Sequence, residues 1–218
     1  MTVLTISRES GSEGRHIAQS VAQTLGYHFV DKRTIESILI QYGFAEFYKE
    51  YEATPSFWDR LDPHKTELIG MLNRVIRGLA RHGHVVILGR GSFAVLRDLA
   101  DVLNVRIKAP LPVRIKRVMQ QRGIFSPEQA RAVVLDSDRV RAAFIQTYYG
   151  VQCDSAELFD LIVDTGKVAP DLAADWISAA MKALPDTQAS LEPTTRTLEQ
   201  DAVLTVAIAT ALKCETEH

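Results

Sequence analysis

Two cysteines in 218 residues, Cys153 and Cys214, are too few and too separated for a disulfide framework or a cysteine-built zinc site. That scarcity fits a reducing compartment. Charge of one sign is missing too. With 25 basic and 27 acidic residues the net charge is −2, so no global field points to nucleic acid or an acidic membrane surface. The longest apolar run, near Ala202 to Leu212, falls short of the roughly 20 residues that cross a bilayer. No basic region followed by an apolar stretch opens the chain, so no signal peptide is visible. Histidines stand at no metal-ligand spacing: His82 and His84 flank a glycine, and His64 is isolated. No Ser–His–Asp or Cys–His arrangement can be argued from the residue order. Repeats and low-complexity segments are missing, and no segment specifies an oligomeric state. A soluble, cytoplasmic globular protein is the expectation, and 46% apolar residues suffice for a sizeable core.

What is present is an alternation. Short β-branched runs alternate with helix-length amphipathic segments, the order of βα units in a parallel sheet. Strands are expected at Val3–Ile6, His28–Val30, Val85–Leu88, Val105–Lys108 and Leu161–Val163. Val85–Leu88 and Leu161–Val163 are nearly all apolar, as in central strands covered on both faces. Helices are expected over Gly14–Leu25, Lys32–Gln41, Lys65–Arg81, Pro112–Gln121, Pro127–Thr147 and Pro170–Leu184. Ser126-Pro127-Glu128-Gln129 supplies an N-cap, a proline in the first turn and a glutamine at the third helical position. Residues 44–63, rich in aromatics and acids, break the alternation and read as an insertion after the second strand. Residues 185–190 read as a polar linker to a final helix over Leu198–Leu212.

The stretch Ser7-Arg8-Glu9-Ser10-Gly11-Ser12-Glu13-Gly14-Arg15-His16 joins the first strand to the first helix. Glycines at such a junction let backbone N–H groups and the positive end of the helix dipole close on an anion. Aligned on Gly14, the run follows the phosphate-loop pattern G-x-x-x-x-G-K-[ST] with Glu9 for the first glycine, Arg15 for lysine and His16 for the hydroxyl. Ser12 offers a donor, and Arg15 can pair bidentately with phosphate oxygens. The plainer reading is a tight turn with Arg8 and Arg15 solvated. Glu13 repels phosphate unless it turns outward or pairs with an arginine.

Other candidates lie at later strand ends. Leu88-Gly89-Arg90-Gly91-Ser92 follows the third strand, and ligands of open α/β sheets sit beyond such carboxyl ends. Arg90 then projects into the crevice of the first loop; otherwise the glycines only shape a turn. Asp31, ending the second strand, accepts either from a substrate or from the backbone as a helix N-cap. Arg114 and Arg117 share a helix face at i, i+3, as do Asp138 and Arg141. Arg122, Arg131 and Arg139 extend this run, whose ordinary explanation is a charged helix face. Converging guanidinium groups would instead neutralise phosphates. Tyr42, Phe44, Phe47, Tyr48, Tyr51, Phe57 and Trp58 form the small core of the insertion or stack on a base.

Together these landmarks resemble the cytidylate kinase-like family of P-loop nucleoside monophosphate kinases. They are Ile6–Arg15, Leu25–Lys32, Leu88–Gly91, Ile107–Pro110, Asp138–Arg141 before Tyr148-Tyr149-Gly150, and Phe159–Thr165. The resemblance implies a P-loop NTPase-type three-layer α/β/α fold with a five-stranded parallel sheet. Residues 1–184 would form the kinase-like domain, with a helical insertion at 32–83 binding the monophosphate and a lid over 112–150. Residues 185–218 would be linker and helical extension. It further implies ATP-dependent phosphoryl transfer to a nucleoside monophosphate, CMP-like. The loop Gly11, Ser12, Glu13, Gly14, Arg15 and His16 would hold ATP, with Mg²⁺ carried mainly by phosphates and water. Arg15, Arg114, Arg117 and Arg141 would be catalytic; Asp31, Arg90, Asp138 and Arg141 would bind the acceptor; Asp164-Thr165-Gly166 would lie near adenine. An arginine the family pattern expects falls at Val134, with Arg131 one turn earlier. A nucleotide-binding regulator without turnover, or a kinase of another small molecule, is the alternative.

Overall fold

Val3, Leu4, Thr5 and Ile6 have no exposed surface, so the first strand needs neighbours on both edges and cover on both faces. The computed structural model, which describes residues 2–42, 62–184 and 192–213, supplies both. Strand β1 (Val3–Arg8) is the centre of a five-stranded sheet with order β2–β3–β1–β4–β5. The others are β2 (His28–Val30), β3 (Val85–Leu88), β4 (Val102–Lys108) and β5 (Leu161–Asp164). All four pairings are parallel, with Val3 opposite Val85 on one side and Val102 on the other.

Helices cover both faces, as parallel connections require. On one face, α1 (Gly14–Leu25) and α7 (Pro170–Ala183) bury Ile17, Val21, Ile177 and Met181 against Leu4, Ile6, Val105 and Ile107. The other face carries α2 (Lys32–Gln41), α3 (Pro63–His82), α4 (Ser92–Leu96) and α8 (Ala202–Ala211). There Ile38, Leu72, Ile76, Phe93 and Ile208 join one core with Val85, Ile87 and Val102. A helical hairpin of α5 (Leu111–Arg122) and α6 (Pro127–Tyr149) has its own small core at Val118, Ala130 and Val134. The expected three layers and five parallel strands are therefore present.

Capping residues set several boundaries. Ser126 accepts from the Gln129 N–H to begin α6, and Asp62 accepts from His64 N–H to begin α3 with Pro63 in its first turn. Two expectations need revision. Leu161–Val163 is an edge strand, not a central one; Ile162 is 39% exposed because no strand lies beyond β5. Helix α4 was not anticipated, being only five residues long. The final helix starts at Ala202, not Leu198, because Asp201 caps it by accepting from Val203 and Leu204 N–H.

Candidate active site

The first loop leaves β1 and turns into α1 through two left-handed residues, Gly11 (φ 76°) and Glu13 (φ 64°). Gly11 is required twice over. A Cβ there would adopt an unfavourable φ and lie 2.7 Å from the Arg114 carbonyl oxygen. Ser12 is fully buried and donates to the Glu9 carbonyl at 2.9 Å, so its hydroxyl holds the loop together. Glu13 turns outward and accepts from Gln121 Nε2 at 2.6 Å, which takes its charge off the loop. His16 Nε2 lies 2.8 Å from Asp171 Oδ1 at the start of α7, on exposed surface.

Helix α5 meets this loop through arginines, and α6 meets it through Asp138. Arg114 donates from Nε to the Ala109 carbonyl at 2.9 Å and from Nη1 to the Ser10 carbonyl at 3.3 Å. Its guanidinium also pairs with Asp138 at 2.5 Å and lies 3.4 Å from Glu9. Glu9 is fixed in turn, accepting from Ala109 N–H at 3.0 Å. Arg117 donates to the Gly11 carbonyl and to both oxygens of Thr165. Asp138 accepts from Ser10 N–H at 2.9 Å and from Arg141 Nη2 at 2.5 Å. A carboxylate of the chain thus sits on one of the loop's amide donors, between two guanidinium groups.

The ends of β2 and β3 complete the arrangement. Asp31 caps α2, accepting from Arg33 and Thr34 N–H, and its other oxygen takes a 2.6 Å bond from Arg15 Nη2. Of the two readings of Asp31, the N-cap is the one this geometry shows, and Arg15 takes its second oxygen. Burial alone would raise its carboxyl; the bonds from Arg15, Thr34 and Arg33 outweigh that and hold it below the usual range. Arg15 also lies over the Phe29 ring, 5.4 Å from its centroid. Arg90 itself is left-handed, φ 57°. Buried Glu36 faces both Arg90 Nη2, at 3.9 Å, and Lys32 Nζ, at 3.5 Å. Gly89 leaves room for the Arg8 guanidinium, which would collide with a Cβ there.

Part of this arrangement borders a cleft of about 1400 Å³ at the carboxyl ends of the strands, whereas Gly11, Ser12, Glu13, Gly14, His16 and Asp31 are not in its lining. Arg8, Glu9, Arg15, Arg90, Asp138 and Arg141 all line it. Arg114 and Arg117 reach the loop from behind, through its carbonyl oxygens. Among the other expected basic residues, Arg122 and Arg139 also border the cleft, Arg139 pairing there with Asp136. Lys32, Glu36 and Arg106 were not singled out from sequence. An arginine between the apolar strand residues Val105 and Ile107 was the available signal for the last. Tyr42 donates to Asp201 at 2.8 Å, while the other six aromatics of the insertion lie outside the described residues. Among the described residues no group of three His, Cys, Asp or Glu side chains is placed to hold a metal, and no helix is long and apolar enough to cross a membrane.

Comparison with known proteins bears on this geometry. The model of the cytidylate kinase-like family matches residues 3–167. A cytidylate kinase of Ignicoccus hospitalis is 30% identical over 177 residues, covering 81% of this chain and 97% of its own length. One of Pyrobaculum aerophilum is 27% identical over 172 residues, 78% of this chain and 86% of its own. Among solved structures, an uncharacterized protein of Eubacterium ventriosum superimposes with a TM-score of 0.68 at 20% identity, covering 84% of this chain and 99% of the other. A shikimate kinase of Bacteroides thetaiotaomicron gives 0.50 at 13% identity, over 83% and 98% of the two chains. The last two are likenesses of fold.

Proposed function

The chain belongs to the cytidylate kinase-like family, and from that premise we propose that it is a kinase moving the γ-phosphoryl group of ATP to a nucleoside monophosphate, a CMP-like one. One observation carries the reading: Glu9 and Arg15 at the two ends of the glycine loop, Arg90, and Asp138 with Arg141 on α6 border a single cleft at the carboxyl ends of the strands. Such placement is where open α/β sheets bind ligands. In this reading residues 1–184 are the kinase-like domain, 32–83 the acceptor-binding insertion, 112–150 the lid, and 185–218 an extension.

The roles follow from chemistry. Gly11 and Gly14 allow backbone N–H groups to approach the ATP phosphates, with Ser12, Glu13 and His16 shaping that turn and Arg15 supplying charge where lysine is usual. Asp31, Arg90, Asp138 and Arg141 hold the acceptor. An acceptor phosphate oxygen bonds to the γ-phosphorus as the bond to the β–γ bridging oxygen breaks, giving ADP and a nucleoside diphosphate. Positioning and charge neutralisation accomplish most of such a transfer. Arg15 and Arg141 neutralise charge directly, and Arg114 and Arg117 stiffen the loop while adding to its field. Mg²⁺ would supply further neutralisation and would be held mainly by phosphates and water, since His16 stands at the position of the usual hydroxyl ligand.

A specific observation favours a second reading, a nucleotide binder without turnover. Asp138 already takes the Ser10 amide, and Arg15 already pairs with Asp31. One assay separates the two: purified protein with Mg-ATP and a panel of monophosphates, with ADP formation and thermal shift read together. ADP dependent on a monophosphate supports the kinase, and CMP as best acceptor supports the CMP-like choice. Thermal shifts without ADP support the binder, and ADP formed only with another small molecule moves the acceptor class.

A further inference from the structure

Two arginines in this cleft region are equally buried, each 7% exposed, and they keep different company. Arg114 has the carboxylates of Glu9 and Asp138. Arg106, in the second half of β4, has no carboxylate within ion-pairing distance among the described residues. Its Nη1 donates to Ser7 Oγ at 3.0 Å, and its guanidinium lies 5.7 Å from the Phe159 ring centroid. The Cys153 thiol lies beside it as well. Burial pushes that thiol up, Asp154 and Asp138 adding to the rise and the nearby Arg106 pulling the other way. A hydroxyl, a ring, a thiol and carboxylates beyond ion-pairing distance balance a buried positive charge only in part, and a desolvated cation without a close counter-charge is unfavourable.

The position of this charge gives it a use. Arg106 and Ser7 both line the cleft, and no guanidinium nitrogen of Arg106 is both sealed off and unpartnered. Ser7 is followed by Arg8, whose guanidinium lies over Gly89, next to Arg90. The cationic floor therefore runs from the first loop, through Arg8 and Arg90, to Arg106. A nucleoside monophosphate brings one phosphate to this floor; an uncharged base or sugar would leave Arg106 unbalanced.

We infer that Arg106 and Ser7 form a second anion-binding position in the cleft, and that the acceptor carries a negatively charged oxygen group there besides the phosphate that receives the transferred group. The word acceptor rests on the kinase reading; the anion position does not. The shared chemistry is an anionic oxygen group, which a carboxylate on the base or a second phosphate on the sugar supplies equally.

The test compares binding of CMP, orotidine 5′-monophosphate and cytidine 3′,5′-bisphosphate to the full-length wild type and to Arg106→Met. Wild type is expected to bind at least one of the two more highly charged probes about tenfold tighter than CMP, the worth of one charge-assisted hydrogen bond. The probe that gains identifies the source of the charge. In Arg106→Met that preference disappears, CMP binding stays within about twofold, and the unliganded protein unfolds at an equal or higher temperature, as relief of an unbalanced buried charge requires. Equal binding of all three probes by wild type, or a preference that survives Arg106→Met, overturns the inference. So does an Arg106→Met protein that is destabilised or fails to fold, because the guanidinium is then structural. ADP formation is read alongside. Tight binding of a charged probe without ADP keeps the anion position and removes the kinase reading; ADP from CMP with no binding preference does the reverse.

Discussion

The amino and carboxyl ends of the same five strands are finished in opposite ways. At the amino end polar groups close on one another. Asp101 is 2% exposed and gives both carboxylate oxygens to Thr195, one to its N–H and one to its hydroxyl, at 2.8 and 2.6 Å. Tyr27 and Thr2 share a 2.6 Å hydroxyl bond, and His28, His82 and His84 cluster beside them. At the carboxyl end cations gather around open space, and one of them, Arg106, has no carboxylate within ion-pairing distance among the described residues. Polar groups with complete partner sets hold a fold together; charges left open are where a ligand is needed.

The sharpest way to break this comparison is Arg15→Ala. On the kinase reading it should lower kcat/KM by about 10³-fold or more in a coupled ADP assay. Its pair with Asp31 is largely exposed on the Arg15 side, 58%, so denaturant unfolding should move by under about 1 kcal/mol. Near-normal turnover would remove the loop from catalysis. At the other end, Asp101→Ala should show the converse. Orphaning buried Thr195 should cost about 2–4 kcal/mol by urea denaturation and leave KM values unchanged. A loss of activity in the folded variant would erase the distinction between the ends. Gly11→Ala comes next, at about 1–3 kcal/mol, from its positive φ and the 2.7 Å approach to the Arg114 carbonyl oxygen. Calorimetry should show weakened ATP binding in that variant. Intact binding would mean that the loop tolerates a shift away from α5.

The smallest effect is a pH dependence. Burial, with neighbouring histidines, lowers the pKa of His28; burial, the N-terminal ammonium and His82 lower that of His84. Both are therefore neutral in the folded protein at a pH where an unfolded histidine is already protonated. Their contribution is complete above the ordinary histidine pKa and is lost as pH falls through the lowered values. Unfolding midpoints should drop modestly between about pH 7 and 5. The double variant His28→Asn, His84→Asn should flatten that slope, and an unchanged slope would assign it to other groups.

Much of the fold was legible because strands and helices obeyed their periods. Residues Gly14–Leu25, Lys32–Gln41 and Val85–Leu88 are bounded as their patterns indicate. Helix α4 escaped notice because five residues are too few to display a helical period. Leu161–Val163 is apolar enough to be central, yet edge position depends on strand order, which local hydrophobicity does not encode. The cap made by Asp31 and the place of Arg90 on the cleft were readable from their positions after strands. Arg106 was not, since an arginine in a strand usually points to solvent and only the packing around it shows burial. The seat of Asp138 on Ser10 joins residues 128 positions apart, beyond any local pattern.

Gly78 has a consequence for where this protein can be cut. A Cβ at this position in α3 would lie 2.7 Å from Ile208 Cδ1 and 3.1 Å from Leu204 Cδ2, so the last of the described helices, α8, rests on the bare backbone of an earlier one. The stretch that the family model recognises stops at residue 167, before α7 and α8. Recognisable ancestry and mechanical integrity therefore cover different lengths of chain. An expression boundary drawn after Leu184 would strip Leu204, Ala207 and Ile208 from the core that also holds Leu72 and Ile76. It would leave an oily furrow along α3, on the face of the sheet that α2 and α4 also cover.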